Sequence, residues 1–125
     1  MTTVKDVMTS EPLAVAPATT VAEAATIMGE RRIGSALVMN DDNLLGIFTE
    51  RDIVRALAQD FGAAERPVSE WMTEDPVTVP PETEATDALR TMLDGGFRHL
   101  PVTEGDRVLG VVSIRDLSAA GIDQG

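Results

Sequence analysis

The chain carries one sequence twice. At an offset of 64 residues, the step from Pro12 to Pro76, two halves align without a gap. Identical pairs include Val4/Val68, Met8/Met72, Thr9/Thr73, Val15/Val79, Thr19/Thr83, Met28/Met92, Val38/Val102, Gly46/Gly110, Arg51/Arg115 and Asp52/Asp116. A repeat of fixed period constrains architecture more than composition does, because whatever supersecondary unit one copy forms, the other must form too. Each copy alone is near the size at which a single core becomes marginal, so the halves are expected to fold against each other. The polar chemistry lies in the repeat as well: the densest matches are residues 46–52 and 110–116.

A chain of 125 residues, 43% hydrophobic and 25% charged, has the composition of a globular protein rather than a disordered one. No apolar run approaches the roughly 20 residues that span a bilayer. Residues 1–6 lack the charged and apolar regions of a signal peptide, so a cytoplasmic location is the expectation. The absence of cysteine excludes disulfides, thiolate nucleophiles and cysteine-ligated zinc together. A formal net charge of −11 argues against nucleic acid, whose binding rests on cations that neutralise phosphates, and against an anionic membrane surface. The cations are nevertheless concentrated. All but Lys5 are arginine, and Arg31, Arg32, Arg51, Arg98 and Arg115 fall in or just before the repeated blocks. An acidic body with arginines gathered at particular loops is able to hold a small anion; ordinary solvated surface charge is the alternative.

Residues 4–9 and 68–73 read as short turns, each followed by a proline. Residues 13–15 and 77–79 are brief β-prone runs. Val21, Ala24, Ala25 and Met28 recur at helical spacing, as do Ala85, Ala88, Leu89 and Met92, with Gly29 and Gly95-Gly96 as stop signals. Strands are predicted at 36–39 and 44–48, and again at 100–103 and 108–112. The turn joining each pair is rich in Asn, Asp and Gly, which tolerate left-handed backbone. Second helices follow at 51–58 and 115–120. The order is β-α-β-β-α, twice: an α/β (α+β) fold with one mixed sheet per repeat. The repeats are assigned to residues 1–60 and 68–125, with 61–67 connecting them.

Both second hairpin strands end alike, in Gly46-Ile47-Phe48-Thr49-Glu50-Arg51-Asp52 and Gly110-Val111-Val112-Ser113-Ile114-Arg115-Asp116. A hydroxyl residue stands where strand becomes helix, and an acid follows three residues later. That spacing is also a capping box, which satisfies orphan N–H groups at a helix start, and Thr20-Val21-Ala22-Glu23 supplies the same spacing as a control. Spacing alone favours capping. It does not account for Asp in both repeats with an arginine directly before it. A helix start is also an anion site, and an Asp one turn on is able to accept from both hydroxyls of a ribose.

Two repeats of this length resemble a tandem pair of cystathionine-β-synthase (CBS) domains, a Bateman module. The resemblance rests on Met8-Thr9 and Met72-Thr73 before a proline, the Gly-hydrophobic-x-Ser/Thr-x-x-Asp blocks, and Arg98-His99-Leu100-Pro101-Val102, and it covers nearly the whole chain. It implies repeats packed sheet to sheet about a pseudo-twofold axis, with two clefts that take AMP, ADP, ATP, NAD(H) or S-adenosylmethionine. Carried over, Asp52 and Asp116 would hold ribose hydroxyls. Thr49, Ser113, Arg51, Arg98 and Arg115 would meet phosphate. Backbone at Ile33, Gly34, Ser35 and Ala36, and at His99, Leu100 and Pro101, would line an adenine pocket together with Leu13 and Val77. The repeats are unequal matches: Pro101 faces Leu37 across the offset, and Arg98-His99 face Gly34-Ser35, so ligand is expected first at the second block.

The resemblance therefore implies a stand-alone regulatory sensor that signals an adenosine ligand by conformational or oligomeric change. Its expected partner is a second copy of the chain, giving a homodimer, or a regulated protein not identifiable from sequence. The alternative is a ligand-free interaction module whose motifs are only helix caps. No nucleophile–base pair or metal cluster can be assembled, so no enzyme is expected. The single histidine, His99, reads as a pocket or packing residue. Trp71, which replaces Val7 in the repeat, is expected to cover apolar surface between the halves or at a subunit contact.

Overall fold

The computed structural model describes residues 1–122. Its elements in chain order are α1 (Val4–Val7), β1 (Ala14–Val15), α2 (Val21–Arg31), β2 (Ser35–Asn40), β3 (Asn43–Thr49) and α3 (Glu50–Gln59). Then follow 3₁₀ turns at Phe61–Glu65 and Val68–Glu70, β4 (Thr73–Glu74), α4 (Ala85–Gly95), β5 (His99–Glu104), β6 (Arg107–Ser113) and α5 (Ile114–Ala119). The mixed α+β character and the duplicated order agree with the sequence. None of the helices among the described residues is long and apolar enough to cross a membrane.

The repeat is physically real down to single hydrogen bonds. Hairpin β2–β3 pairs Ser35 with Thr49 and Val38 with Gly46, and β5–β6 pairs His99 with Ser113 and Val102 with Gly110. Register slips by one residue after Val38 and after Val102, leaving Leu45 and Leu109 as the extra residue of matching bulges. The tips turn on left-handed residues, Asp41 at φ 55° and Gly105 at φ 60°, as the turn chemistry predicts. Beside each hairpin runs a parallel partner, Val15 against Val38 and Val79 against Val102.

The chain forms two compact units: Leu13–Pro76, and Met1–Pro12 with the described residues from Val77 onward. They will be called the Asp52 unit and the Asp116 unit. Each repeat's opening segment docks on the body of the other repeat. In the Asp116 unit Val4 N–H donates to Thr83 O (2.9 Å) and Ala85 N–H to Thr2 O (2.9 Å). In the Asp52 unit the equivalent bonds are Val68 N–H to Thr19 O (2.8 Å) and Val21 N–H to Arg66 O (2.9 Å). The chain passes from one unit to the other just after Pro12 and Pro76. Each unit has its own apolar cluster. One is built around Val4, Leu89, Met92, Leu100 and Leu117, the other around Val21, Met28, Val38, Phe48 and Val68.

The docked segments explain the repeated glycines. A Cβ at Gly46 would stand 2.6 Å from the Thr73 carbonyl and 2.7 Å from Met72 Sδ. At Gly110 it would meet the Thr9 carbonyl even more closely, with Met8 Sδ at 2.9 Å. Only glycine lets the Met-Thr strand lie against the hairpin this tightly.

Some expectations change. Gly29 does not stop the first long helix: it is helical, and Arg32 ends α2 in the left-handed region at φ 56°. Gly96 does end α4, at φ 73°. Residues 4–7 are helical rather than a turn, and Thr73–Glu74 is a strand hydrogen-bonded to β3. Residues 77–79 make a single bridge at Val79 instead of a strand. The Trp71 expectation holds in its first form: from the second repeat it packs on an apolar cluster built mainly of first-repeat residues.

Candidate functional site

In the Asp52 unit, the Thr49 N–H donates to Asp52 Oδ2 at 2.9 Å, and the Asp52 N–H reaches back to Thr49 Oγ1 at 3.4 Å. In the Asp116 unit, Ser113 N–H donates to Asp116 Oδ2 at 2.9 Å and Asp116 N–H to Ser113 Oγ at 3.0 Å. Both motifs are therefore working capping boxes, as Thr20 and Glu23 are at α2. Capping uses one oxygen of each aspartate. What the second oxygen does separates the two sites.

Asp52 is closed. Its residue is 6% exposed, Oδ2 also accepts the Thr49 hydroxyl at 3.2 Å, and Oδ1 accepts Arg55 Nη2 at 3.2 Å. A nearly buried carboxylate needs such a partner, because an unpaired buried charge is costly. Arg55 is fixed twice more: Nη2 donates to the Trp71 carbonyl at 2.7 Å, and the guanidinium lies 5.4 Å from the Trp71 ring centroid, within cation–π range. The Trp71 Nε1–H is buried with no acceptor among the described residues. The indole is thus held by packing and by Arg55.

Asp116 is open by comparison. It is partly exposed, and among the described residues neither its Oδ1 nor the Ser113 hydroxyl proton has a hydrogen-bond partner. Across the offset, Arg55 corresponds to Ala119 and Trp71 to Val7, so the second repeat has neither part of the clamp.

The β-sheet register brings residues 34 and 35, and 98 and 99, to these caps. Ser35 lies opposite Thr49, and Gly34 O accepts Glu50 N–H at 3.1 Å. His99 lies opposite Ser113, and Arg98 O accepts Ile114 N–H at 2.9 Å. The Arg98 and Arg115 side chains are exposed and form no ion pair among the described residues. Arg51 is exposed in the first turn of α3. Leu13, Ala36 and Leu100 belong to the apolar clusters, so what they can offer a ligand is backbone. The Leu13 carbonyl is already taken by Leu37 N–H at 2.8 Å, and that of buried Pro101 by Val79 N–H at 3.1 Å. Ile33 is half-buried, and Val77 is 50% exposed. Sequence reasoning missed Arg55. The available signal was a pair of departures from the repeat, Arg55/Ala119 and Trp71/Val7, with Arg55 three residues beyond the acid.

Comparison with known proteins places these blocks in context. The CBS domain model matches residues 4–59 and 68–123. The chain is 44% identical over 124 residues to an uncharacterised 17.7 kDa protein of Acidianus ambivalens, spanning 98% of this chain and 74% of the relative. It is 43% identical over 115 residues to the CBS domain-containing protein CBSCBSPB1 of Arabidopsis thaliana, covering 90% of this chain but only 21% of that protein. Among solved structures, the CBS-domain protein ATU1752 of Agrobacterium tumefaciens matches with TM-score 0.91 at 36% identity, covering 97% of this chain and all of that one (100%). The CBS domain pair of protein MJ0100, solved with 5′-methylthioadenosine and S-adenosyl-L-methionine, matches with TM-score 0.89 at 27% identity over 97% and 96% of the two chains. CBSX2, solved with AMP, matches with TM-score 0.83 at 27% identity over the same shares, 97% and 96%.

Proposed function

Because the chain belongs to the CBS domain family, matched over residues 4–59 and 68–123, we propose that it is a regulatory module that binds an adenosine-containing ligand at Asp116 and catalyses no reaction. The observation that carries this reading is that, among the described residues, half of the Asp116 carboxylate and the neighbouring Ser113 hydroxyl proton are uncommitted. Asp116 Oδ1 accepts ribose hydroxyls, Ser113 Oγ donates to a phosphate or other acceptor, and Arg98 and Arg115 supply charge for an anionic ligand. Backbone near His99 and Pro101, with Val77, meets the base. Two structural neighbours solved with adenosine compounds support this ligand class; AMP, ADP, ATP, NAD(H) and S-adenosylmethionine are its candidate members. Binding changes an equilibrium only through a difference in affinity between two states, so the output is a shift in packing within the module or with a partner.

The partner proposed is a second copy of the chain, with the cytoplasm as the setting. Val54 and Leu57 on α3 and Phe61 in the turn after it are 68%, 38% and 93% exposed, large apolar side chains that support self-association. Sedimentation of wild type against Phe61→Glu checks this: a monomer at micromolar wild type removes the dimer.

A thermal-shift panel of the five ligands tests the ligand class. A compound present at about 100 times its Kd adds about 2.7 kcal/mol of stability. No shift from any of them at millimolar concentration removes the sensor reading and leaves an interaction module with capped helices.

A further inference from the structure

The geometry points to Arg55 as a built-in gate on the first ligand site: its guanidinium occupies the carboxylate oxygen that a ribose would need at Asp52, so nucleotide is directed to Asp116. This rests on the reading of Asp116 as a ribose-gripping acid. The two aspartates have the same neighbours in sequence and the same cap. They differ in the second oxygen, which Arg55 holds at 3.2 Å in one unit and which has no partner among the described residues in the other.

The gate is assembled from two positions at which the repeat is broken. Ala119 stands where Arg55 would recur, and Val7 where Trp71 would. An arginine without the tryptophan would keep the aspartate and the residue-71 carbonyl but lose the indole face it lies on. Here the indole face and the Trp71 carbonyl hold the guanidinium in place over the acid. The Arg55 side chain is still 47% exposed, so it is able to swing into solvent without disturbing the apolar cluster. A ligand that takes Asp52 must displace it, and that displacement removes the cation from Trp71. Trp71 immediately precedes Met72-Thr73, the segment that lies against Gly46. Opening of the gate is thereby coupled to the segment that docks from the second repeat.

The test uses AMP as the probe and calorimetric stoichiometry as the readout, on wild type, Arg55→Ala and Arg55→Met; the methionine keeps an apolar stem over the indole if alanine impairs folding. One AMP per wild-type chain and two per Arg55 variant, the second lost again in Arg55→Ala/Asp52→Asn, is the expected result. Wild type taking up two overturns the gate. One in both wild type and the variants also overturns it while the Asp116 reading stands, and leaves Arg55 as a cap-stabilising residue. None in wild type with one in the variants, lost on Asp52→Asn, supports the gate and removes Asp116 as the ligand site. None in any protein overturns both. Trp71 is the chain's one tryptophan, so its emission gives a second readout. It should change in the Arg55 variants before nucleotide is added, and unchanged emission contradicts the stacked clamp.

Discussion

Asp52 and Asp116 began as copies and no longer do the same thing. Each still closes a capping box on its helix, with donor distances of 2.9 Å to Oδ2. That part of the motif is required by the fold, and it has survived in both. The second oxygen is not required by the fold, and there the repeats part: in one unit an arginine stacked on a tryptophan fills it, while in the other it has no protein partner among the described residues. Duplication maintains what the helix start needs and leaves the rest of the same side chain free to diverge. A motif match by itself therefore says little about ligand; the neighbours three residues on and across the docked segment say more.

The cores offer the largest contrast. Phe48 in one hairpin corresponds to Val112 in the other, and both are fully buried. Phe48→Ala should cost about 3–5 kcal/mol and Val112→Ala distinctly less, measured by urea unfolding. Equal losses would mean that the two apolar clusters are packed to the same depth despite their different side chains. Next come the docking glycines. Gly110→Ala should cost about 1–3 kcal/mol, and at least as much as Gly46→Ala, since the Thr9 carbonyl stands even closer to a Cβ at Gly110 than the Thr73 carbonyl does at Gly46. A neutral Gly110→Ala would contradict the close approach of the Met8-Thr9 segment.

The smallest effects concern exposed caps, one in each unit. Asp6 lies below the usual carboxylate range because the Thr3 N–H and then the Thr3 hydroxyl donate to it. Glu23 is lowered in the same way by Thr20. A carboxyl whose pKa is depressed on folding contributes stability above its unfolded pKa and loses it as pH falls through the folded value. Asp6→Asn and Glu23→Gln should each flatten the acid limb of stability against pH, read from urea midpoints between neutral and strongly acidic pH. An unchanged slope would remove the capping bond from solution.

Much of this was legible in the sequence because the repeat reports on itself. Matching helix spacing, the Gly46/Gly110 blocks and turns rich in Asn, Asp and Gly gave the element order and the two hairpins, while their register and bulges came only from the structure. Three things were harder to read. Gly29 looked like a helix stop, but a glycine within a helix whose other face is buried by Val21, Ala24 and Met28 is carried by that packing, and Arg32 takes the left-handed position instead. The short strand at 73–74 had no periodicity to announce it, since its identity comes from docking beside Gly46. Arg55 was invisible for a different reason. Its role depends on Trp71, sixteen residues away, and only the docking of residues 66–74 on the first repeat brings them together.

The inequality of the two aspartates is tested most directly by titrating AMP calorimetrically into wild type, Asp116→Asn and Asp52→Asn. Asp116→Asn should weaken binding by about tenfold or more, the worth of one hydrogen bond to a charged acceptor, with Asp52→Asn leaving affinity essentially unchanged. The opposite ranking, or equal losses in both variants, would contradict it.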